Sequence, residues 1–354
     1  MSESGGSERR AANGGRRRAT INDIARMAGV SKKTVSRVIN QSPFVKVETR
    51  DAINAIIKEL GYRPDPTARG LALRRSFLVG LIYNQPNPQY VVQSQQGILS
   101  ATRAAGLELV VHPCHRADPD LLDQVQNFVE QLKLFGVILT PSVSEDETVI
   151  DILREYECPY VRVASVQLDE PERMIVTHDS LGAAEAARHL TSLGHERVAL
   201  ISGPRTFRSA HERRQGFEAG LGEAGARLDP DYVAEGAYTY DSGVECARRL
   251  LALSPRPTAI FALNDEMAIG AYTAAREAGL SVPGDLSIVG FDDSPMAERL
   301  WPQLSSVRLP IRDMYRLAAD KLIAVARGDK DAVAAIPAVR PSLVERASSG
   351  PLPR

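Results

Sequence analysis

The sequence predicts two parts of different fold class, a small all-α head and a larger α/β body. Within residues 20–60 the apolar side chains recur at helical spacing. From residue 77 onward, short apolar runs alternate with segments of helical length, an order typical of doubly wound parallel sheets with helices on both faces. A chain of 354 residues has room for two or three domains of this kind.

The head begins with two short helices joined by a tight turn, over the stretch TINDIARMAGVSKKTVSRVIN that starts at Thr20. Thr20 caps the first helix, and Asp23 three residues later completes a capping-box pattern. Gly29 supplies the turn, and Ser31 caps the second helix. The pattern therefore predicts a helix-turn-helix unit.

The second helix of this unit carries a basic, hydroxyl-rich outer face. Its outward residues are Lys32, Lys33, Thr34 and Arg37, while Val35 and Val38 face inward. Such a helix fits the major groove of DNA, where its N-terminal residues reach base edges. A solvated helical hairpin would explain the charges, but not the two caps, the turn glycine and the small residues at the crossing. The segment therefore favours DNA binding.

A third helix is predicted from Val47 to Leu60 and would complete a three-helix head. Its apolar face consists of Ile53, Ile56, Ile57 and Leu60. Gly61 is a typical residue at the end of a helix. Residues 65–75 begin with capping residues, but the segment is short and contains Gly70. We expect it to be disordered alone and to form a helix only when packed against a partner.

The net charge of −1 conceals a strong asymmetry along the chain. Residues 1–75 contain 16 Lys and Arg against 7 Asp and Glu, a net charge of +9, and the remainder carries −10. A basic head on an acidic body suits a nucleic-acid binder, because the head neutralises phosphates and the body is not attracted to them. Residues 1–18 are predicted to be a disordered basic arm, which either adds phosphate contacts or has no specific role.

Composition also argues against several classes of protein. Hydrophobic residues make up 44% and charged residues 25%, as in ordinary globular proteins. No segment is long and apolar enough to span a membrane, and the N-terminus has no signal-peptide pattern. Three widely spaced cysteines do not form a disulfide framework, so a reducing compartment is expected. We therefore expect a cytoplasmic protein associated with the nucleoid.

The body shows seven apolar runs that predict strands in two lobes. They are FLVGLIY, LELVVHP, GVILTP, YVRVAS, RVALISGP, TAIFALND and LSIVGFDD. Helices are predicted between the later runs, over Gly182–Leu193, Arg208–Glu223, Gly243–Leu253 and Glu266–Ala278. In this architecture ligands bind beyond the carboxyl ends of the strands. Carboxylate, amide, guanidinium and aromatic groups follow several of these runs, a combination that suits the vicinal hydroxyls and apolar face of a sugar.

These motifs together resemble one family. AGVSKKTVSRVIN, ELGYRPDPTARGLA, SGP followed by ERRQGF, FALNDEMAIGA and VGFDD are similar to the lactose-repressor/galactose-repressor family of bacterial transcription regulators. The resemblance runs from about Ala19 to about Arg346. It implies a two-lobed, periplasmic-binding-protein-like body, a homodimer, and DNA binding to a pseudo-palindromic operator that a sugar or glycoside effector controls.

The resemblance also implies a domain organisation and site residues. The expected parts are the arm (1–18), the DNA-binding domain (19–64), a hinge helix (65–75), the effector-binding and dimerisation domain (76–346) and a tail (347–354). Lobe 1 would comprise about 76–176 and 309–337, and lobe 2 about 177–308 and 338–346. The expected DNA contacts are Lys32, Lys33, Thr34 and Arg37 on the recognition helix, Thr20, Ser31 and Asn40 at the DNA backbone, and Leu71 as a minor-groove wedge.

The effector cleft is expected to contain Arg213, Asn264 and Asp292, with Tyr238 stacking on the ligand. Asn84 and Tyr90 stand where the other lobe contributes in the family, although Asn84 could instead cap a helix and Tyr90 could belong to the core. Ala164-Ser165 stands where some sugar-responsive relatives carry a ligand-binding carboxylate, and Leu309 and Ile311 are apolar at positions that can be polar or aromatic. These departures favour a glucoside or an oligosaccharide with an apolar portion.

Other readings fit the sequence less well. His112-Pro-Cys-His115 has metal-ligand residue types but no second, distant pair, so no metal is expected. No glycine-rich phosphate fingerprint, Walker-type loop or nucleophile elbow is present, which argues against a cofactor and against an enzyme. A free sugar-binding protein or a sugar-processing enzyme is the alternative, and the first explains only the body. The end of the chain has no apolar heptads for a tetramerising coiled coil, so a dimer is expected.

Overall fold

The computed structural model describes residues 19–39, 44–62, 76–334 and 336–352. The head and the body are separate compact units, and each is considered by itself. Neither Asn40 nor Leu71 is among the described residues, so the predictions for these two positions lie outside the structure.

The head consists of three helices, α1 (Ile21–Met27), α2 (Lys32–Ile39) and α3 (Val47–Glu59). The Asp23 carboxylate accepts hydrogen bonds from the Thr20 N–H (2.9 Å) and the Thr20 hydroxyl (2.7 Å), which fixes the start of α1. The turn that follows uses Gly29 in a left-handed conformation, with φ of +63°. Ser31 Oγ then accepts the Thr34 N–H at 3.1 Å and caps α2. The caps and the turn thus fulfil the local pattern that the sequence predicts.

A small apolar core holds the three helices together. Its fully buried or nearly buried members are Ile24, Ala25, Val35, Val38, Val45 and Ile53. The core includes both valines that the helical period places on the inner face of α2. Because six side chains supply most of this core, the stability of the head depends on each of them.

The first lobe of the body is built on a five-stranded parallel sheet in the order β2-β1-β3-β4-β5. Its strands are β1 (Leu78–Tyr83), β2 (Glu108–Pro113), β3 (Gly136–Leu139), β4 (Tyr160–Ala164) and β5 (Met174–Val176). The helices of this part of the chain are α4 (Pro88–Ala105), α5 (Leu121–Leu132) and α6 (Glu147–Glu155), with short 3-10 turns at Val143–Glu145 and Pro171–Arg173. Four of these five strands coincide with predicted apolar runs.

The second lobe is built on a six-stranded sheet in the order β11-β10-β9-β8-β6-β7, in which only β11 runs antiparallel to its neighbour. Its strands are β6 (Val198–Ser202), β7 (Val233–Glu235), β8 (Ala259–Ala262), β9 (Ser287–Asp292), β10 (Ser305–Arg308) and β11 (Ser342–Val344). Its helices are α7 (Asp179–Ser192), α8 (Arg208–Glu223), α9 (Tyr240–Leu251) and α10 (Asp265–Glu277). A 3-10 turn covers Pro230–Tyr232.

The chain crosses between the lobes more than once. After β10 it forms α11 (Ile311–Arg327), which packs on α4 of the first lobe, followed by the short α12 (Lys330–Ala334). It then returns to the second sheet as β11. Such crossings connect the two lobes into one unit, so that their relative angle is set by a few segments.

The helices α7 and α8 cross at close range because the contact is made by glycine. A Cβ atom on Gly216 would lie 2.1 Å from the Ser180 carbonyl oxygen, and one on Gly220 would lie 2.6 Å from that of Ala184. This close contact brings the first turn of α7 against the middle of α8. In the part of the chain that the structure describes, no helix has both the length and the apolar character that a membrane crossing requires.

Candidate functional site

The outer face of α2 carries cations that nothing in the described head neutralises. Lys32, Lys33 and Arg37 are exposed. Across the described residues none of the three takes part in an ion pair within 4.0 Å. Thr34 is half-buried, and its hydroxyl lies 3.0 Å from that of Ser31. Three uncompensated positive charges on one short helix form a surface suited to the phosphates and base edges of DNA.

The hydroxyl groups of Thr20 and Ser31 both make hydrogen bonds within the head. The Thr20 hydroxyl donates to Asp23, and Ser31 Oγ accepts the Thr34 N–H. Both hydroxyls lie at the N-termini of α1 and α2 and hold the starts of these helices in place. Their role as caps is the one that the structure displays directly.

The second candidate site is a cleft between the two lobes, at the carboxyl ends of the strands. The residues that line it are Gln85, Asn87, Tyr90, Pro141, Ser165, Thr177, Asp179, Phe207, Ser209, Arg213, Tyr238, Asn264, Asp292 and Leu309. Five predicted effector residues are in this group: Tyr90, Arg213, Tyr238, Asn264 and Asp292. The edge of the parallel sheets therefore brings together side chains that are up to 224 positions apart in sequence.

Arg213 is the central charge of the cleft. Its Nε donates to Asp179 Oδ2 at 2.6 Å, and its Nη1 donates to the Leu263 carbonyl at 2.5 Å. The same Nη1 lies 3.7 Å from Asp292 Oδ1, and the guanidinium carbon lies 3.7 Å from the centroid of the Phe291 ring. Burial alone would lower the pKa of Arg213, but the carboxylates of Asp179 and Asp292 outweigh it and raise that pKa. The guanidinium is thus fixed in one orientation.

Asp292 occupies a strained and electrostatically unusual position at the end of β9. Its φ is +107°, in the region that favours glycine. Burial raises the pKa of Asp292 to about 8; the charge of Arg213 lowers it, and the charge of Asp265 raises it further. The pKa of Asp265, which accepts hydrogen bonds from the Ser294 N–H and the Ser306 hydroxyl, is raised to about 7 by burial. Backbone strain and shifted pKa values of this kind concentrate at functional sites.

Tyr238 presents an aromatic wall to the cleft from a left-handed backbone conformation, with φ of +61°. Its ring meets Phe207 edge-on, with 5.5 Å between centroids. Gly203 is required beside it, since a Cβ there would lie 2.2 Å from the Tyr238 ring. The Tyr238 hydroxyl faces Ser209 but makes no hydrogen bond of ordinary geometry, and burial raises the pKa of Tyr238 to about 12.

Ser165 provides a second unsatisfied hydroxyl in the same cavity. Its side chain is buried, and its Oγ has no hydrogen-bond partner among the described residues. Buried polar atoms without partners are rare, and each implies that something else completes the bonding. The hydroxyls of Ser165 and Tyr238 are therefore positions at which a polar ligand is expected to bond.

The structure gives some predicted residues a different or a double role. Asn264 Oδ1 caps α10 by accepting the Met267 N–H, and its Nδ2 donates to the Tyr238 carbonyl. Tyr90 lines the cleft and is also a core residue, with its hydroxyl 3.2 Å from that of Tyr315. Each of them thus supports the walls of the cleft as well as lining it.

The structure does not place Asn84 where the sequence analysis predicted it. It does not line the cavity, and its backbone carbonyl accepts a hydrogen bond from Ser142. Nor does it cap a helix, because Asn87 Oδ1 accepts the Gln89 and Tyr90 N–H groups at the start of α4. The chain turns between the end of β1 and α4, and this turn places Asn87 rather than Asn84 at the cleft.

Asp179 is the main site residue that sequence reasoning missed. It follows β5, a three-residue edge strand that no predicted run covers. Its carboxylate binds Arg213 and accepts the Thr177 hydroxyl. Asp179 stands three residues before the predicted helix Gly182–Leu193, in the first turn of the observed helix, where acidic residues are favoured.

The cleft is closed in this structure. Its cavity volume is about 30 Å³, whereas ligand pockets generally enclose roughly 300–1,000 Å³. At its mouth Glu145 Oε2 of the first lobe accepts the Arg208 N–H at the start of α8 (3.4 Å), and Arg116 donates to the Thr206 carbonyl (3.3 Å). A sugar therefore requires the lobes to move apart.

The histidine and cysteine motif does not assemble a metal site in the described chain. His112 stacks on Phe128 with 4.7 Å between ring centroids, and Cys114 Sγ donates to the Tyr83 carbonyl. Across the described residues no three His, Cys, Asp or Glu side chains are grouped so that they could hold an ion. The motif is accounted for by packing at the end of β2.

A head with an uncompensated basic helix and a body with a polar interlobe cleft define the class of ligand-responsive DNA-binding regulators. Comparison with known families agrees with this class. Residues 20–65 match the model for bacterial regulatory proteins of the lacI family, and residues 187–349 match the periplasmic binding protein-like domain. The chain belongs to the LacI family, and it is a DNA-binding transcriptional regulator.

Several relatives are similar over nearly their whole length. The transcriptional regulator CelR of Thermobifida fusca is 35% identical over 319 residues, which are 87% of this chain and 93% of CelR. The structure of a CelR–cellobiose complex superposes with a TM-score of 0.69 and 31% identity, over 94% of this chain and 100% of the other. The lac repressor dimer bound to operator and an anti-inducer gives a TM-score of 0.73 with 29% identity, again over 94% and 100%.

Proposed function

We propose that this protein is a homodimeric repressor of carbohydrate-utilisation genes, whose affinity for a pseudo-palindromic operator is controlled by a sugar or glycoside in the interlobe cleft. The observation that carries the proposal is the closed cleft itself. It combines a fixed guanidinium, two carboxylates, an aromatic wall and two unsatisfied hydroxyls. Vicinal hydroxyls and the apolar face of a sugar ring match this set of groups.

In the proposed mechanism the two heads occupy two half-sites of the operator. Lys32, Lys33 and Arg37 reach bases, Thr34 lies beside them, and Thr20, Ser31 and Asn40 hold the DNA backbone. The assigned hinge, residues 65–75, pairs with that of the partner protomer in the minor groove, with Leu71 as the wedge. The proposed domain limits are 19–64 for the DNA-binding domain and 76–346 for the effector-binding and dimerisation domain.

The effector is proposed to act by changing the angle between the lobes. Glu145 and Arg116 bridge the lobes in the closed cleft, and these contacts separate when it opens. A ligand that bonds to Arg213, Asp292 and Tyr238 alters which lobe angle is preferred, and so alters the spacing of the two hinges. The coupling between effector and operator in such systems is typically about 1–3 kcal/mol. The role assigned is regulation rather than catalysis, in the cytoplasm at the nucleoid.

The proposed homodimer is consistent with an exposed aromatic residue on the body. Trp301 is 92% exposed, and Met296 nearby in sequence is 37% exposed. Tryptophan and methionine are enriched in protein–protein interfaces. We place the isologous interface of the dimer on a surface that includes Trp301. Light scattering of the purified protein should give a dimer at micromolar concentration, and a stable tetramer would contradict this assignment.

The test of the proposed function has two parts. A selection of DNA sequences by the full chain should yield a two-fold symmetric site, and titration of that site by fluorescence anisotropy gives the affinity. The same titration is repeated with mono- and oligosaccharides and glucosides. A saccharide that shifts the affinity supports the proposal. If no saccharide changes the affinity for DNA, the protein binds DNA without the proposed control by a carbohydrate.

A further inference from the structure

A second cavity of the body lies against two of the segments in which the chain passes from one lobe to the other. Its volume is about 510 Å³, which falls within the roughly 300–1,000 Å³ of ordinary ligand pockets. Val176 and His178 line it where β5 continues into α7, and residues 336–339 line it between α12 and β11. We call this cavity the crossover pocket. A molecule bound in it would contact both of these crossing segments.

The walls of the crossover pocket are mostly apolar. They include Val166, Met174, Val176, Ile336 and Val339. The hydrophobic effect favours burial of an apolar molecule against such walls, but it is non-directional. The orientation and the chemical selectivity of a ligand therefore depend on the few polar groups that line the pocket.

Lys321 of α11 brings a buried cation to the crossover pocket. The residue is 8% exposed, and its Nζ donates to the carbonyl oxygens of Pro171 and Met174, both at 2.8 Å. An ammonium group has three N–H donors, so one is left for a ligand. Within the ranges that the structure describes, no carboxylate oxygen lies within 4.0 Å of this nitrogen. Buried charges are normally paired, and a ligand anion would supply the missing partner.

The position of this ammonium group does not depend on whether the cleft is open or closed. Both carbonyl groups that hold it belong to the first lobe, on which α11 also packs. Burial lowers the pKa of Lys321 from its ordinary value of 10.5, and the charge of Glu172 raises it. Because the ordinary value lies far above neutrality and two carbonyl oxygens favour the charged form, the group is a cation.

Among the described residues around the crossover pocket, the one carboxylate is Glu212 of α8. It is half-buried and belongs to the second lobe, whereas Lys321 is buried and belongs to the first. The two charges therefore face the pocket from different lobes. An anionic group of a ligand is directed to Lys321 and away from Glu212.

We propose that the crossover pocket is a second small-molecule site, which takes a compound with an apolar body and a carboxylate group, and that Lys321 binds this carboxylate. The ammonium would donate its third N–H to the ligand in a charge-assisted hydrogen bond. Since both crossing segments line the pocket, an occupant favours one angle between the lobes and thereby alters operator affinity. This inference goes beyond the proposed control by a sugar and does not require it.

The first experiment compares four probes on the full-length protein. They are 3-phenylpropionate, its neutral amide 3-phenylpropionamide, the cation 3-phenylpropylamine, and propionate, which lacks the apolar body. We expect 3-phenylpropionate to bind with a Kd of about 1 mM or lower, as suits a ligand of this size. The other three should bind at least about tenfold more weakly, because each lacks either the charge or the apolar area.

The place of binding is read from methionine methyl resonances. The chain has six methionines, of which Met174 lines the crossover pocket and Met267 follows the cleft residue Asn264 on α10. The resonance of Met174, assigned with Met174→Leu, should shift with 3-phenylpropionate, and that of Met267 should change less. Binding of the amide or the amine as tight as that of the carboxylate would overturn the proposal, as would a larger shift at Met267.

The role of Lys321 is tested by Lys321→Met, which removes the charge and keeps an unbranched side chain. Lys330→Met, exposed on α12, is the matched control. The ratio of Kd values between the amide and the carboxylate should fall from at least about ten to about one in Lys321→Met and stay unchanged in Lys330→Met. An unchanged ratio in folded Lys321→Met would overturn the assignment. If this variant does not fold, the comparison of probes on the wild type still decides.

The consequence for regulation is measured by titrating operator DNA at a saturating concentration of 3-phenylpropionate. Operator affinity should change at least about threefold, and an unchanged affinity would overturn the coupling to the lobe angle. If no probe shifts the Met174 resonance at about 10 mM, a concentration well above the expected Kd, the site itself is overturned and the proposed sugar control stands. If 3-phenylpropionate binds and no saccharide alters operator affinity, the sugar control is overturned and the crossover pocket stands.

Discussion

The head and the cleft place their functional residues in opposite environments. The cations of the recognition helix lie within six consecutive positions, are exposed and have no partner in the described head. The charges of the cleft come from three distant segments, are buried and bind one another. The difference shows that a surface for a polyanion can be built by local sequence alone. A site for a small polar ligand needs distant side chains that hold each other in place.

The largest effect on stability and on the sugar response is expected from a substitution of Arg213 in the cleft. Arg213→Ala leaves the carboxylate of Asp179 buried without its cation, and removal of one partner from a buried ion pair costs about 3–5 kcal/mol. We expect thermal and urea unfolding to show a loss of that size in the body, together with loss of the sugar response.

The control for this variant is Arg214→Ala, whose side chain is 43% exposed and pairs with Glu218 on the same helix. It should change stability by less than about 1 kcal/mol. Operator affinity of Arg213→Ala should remain near normal wherever the body stays folded, because Arg213 lies outside the head. Unchanged calorimetric binding of sugar in Arg213→Ala would contradict the assignment of the cleft.

The buried carboxyl group of Asp292 should make the stability of the body depend on pH. Its pKa is about 8 in the folded protein, above the ordinary value of 3.8. The folded state therefore holds a proton that the unfolded state has lost, and the free energy of unfolding falls as pH rises from about 4 to about 8. Relative to Asp292→Asn, we expect the wild type to lose a few kcal/mol over this interval. Urea titrations of both proteins at pH 5 and pH 8 measure the difference, and parallel curves would contradict the buried, protonated carboxyl.

At the head a single exposed side chain should alter recognition without altering the fold. Lys33→Ala is expected to cost about 1–3 kcal/mol of operator binding and to relax the preference at one base position. Lys58→Ala, also exposed but on α3, serves as the control and should leave the preference as it is. A competition titration with single-base operator variants makes the measurement. If the affinity falls by the same factor for all operator variants, Lys33 contacts a phosphate rather than a base.

The smallest effect is expected at the contact that bridges the lobes. Glu145→Ala removes the acceptor for the Arg208 N–H, and the loss of such a cap typically costs about 0.5–2 kcal/mol. The variant should open the cleft, so small-angle scattering of the ligand-free protein should give a larger radius of gyration. Glu245→Ala, exposed on α9, should scatter as the wild type does. An unchanged radius in Glu145→Ala would show that this contact does not hold the lobes together.

The sequence by itself determined the head and the long central strands of both lobes. The capping residues Thr20, Asp23 and Ser31 and the turn at Gly29 act within four residues, so the chain pattern alone specifies them. Long apolar runs likewise predicted the central strands, because a strand buried on both faces is apolar throughout. The helix Arg208–Glu223 was predicted with the bounds that the structure gives.

The short strands β5, β7 and β10 were not predicted. Each has only three or four residues, and Ser305–Arg308 is mostly polar although it lies inside the sheet. Neighbouring strands supply the hydrogen bonds that stabilise such short segments, and the sequence of the segment itself carries little of this information.

Only the tertiary structure decided which of the polar residues meet. Resemblance singled out Arg213 and Asp292, but the pairing of Arg213 with Asp179 follows from the close crossing of α7 and α8 at Gly216. The turn of the chain between β1 and α4 decides that Asn87, and not the predicted Asn84, lies at the cleft. Hydrogen bonds and charge interactions act over a few ångströms of space, whereas local patterns specify only a few residues of chain. The buried cluster of Asp179, Arg213 and Asp292 therefore forms only where distant parts of the chain converge.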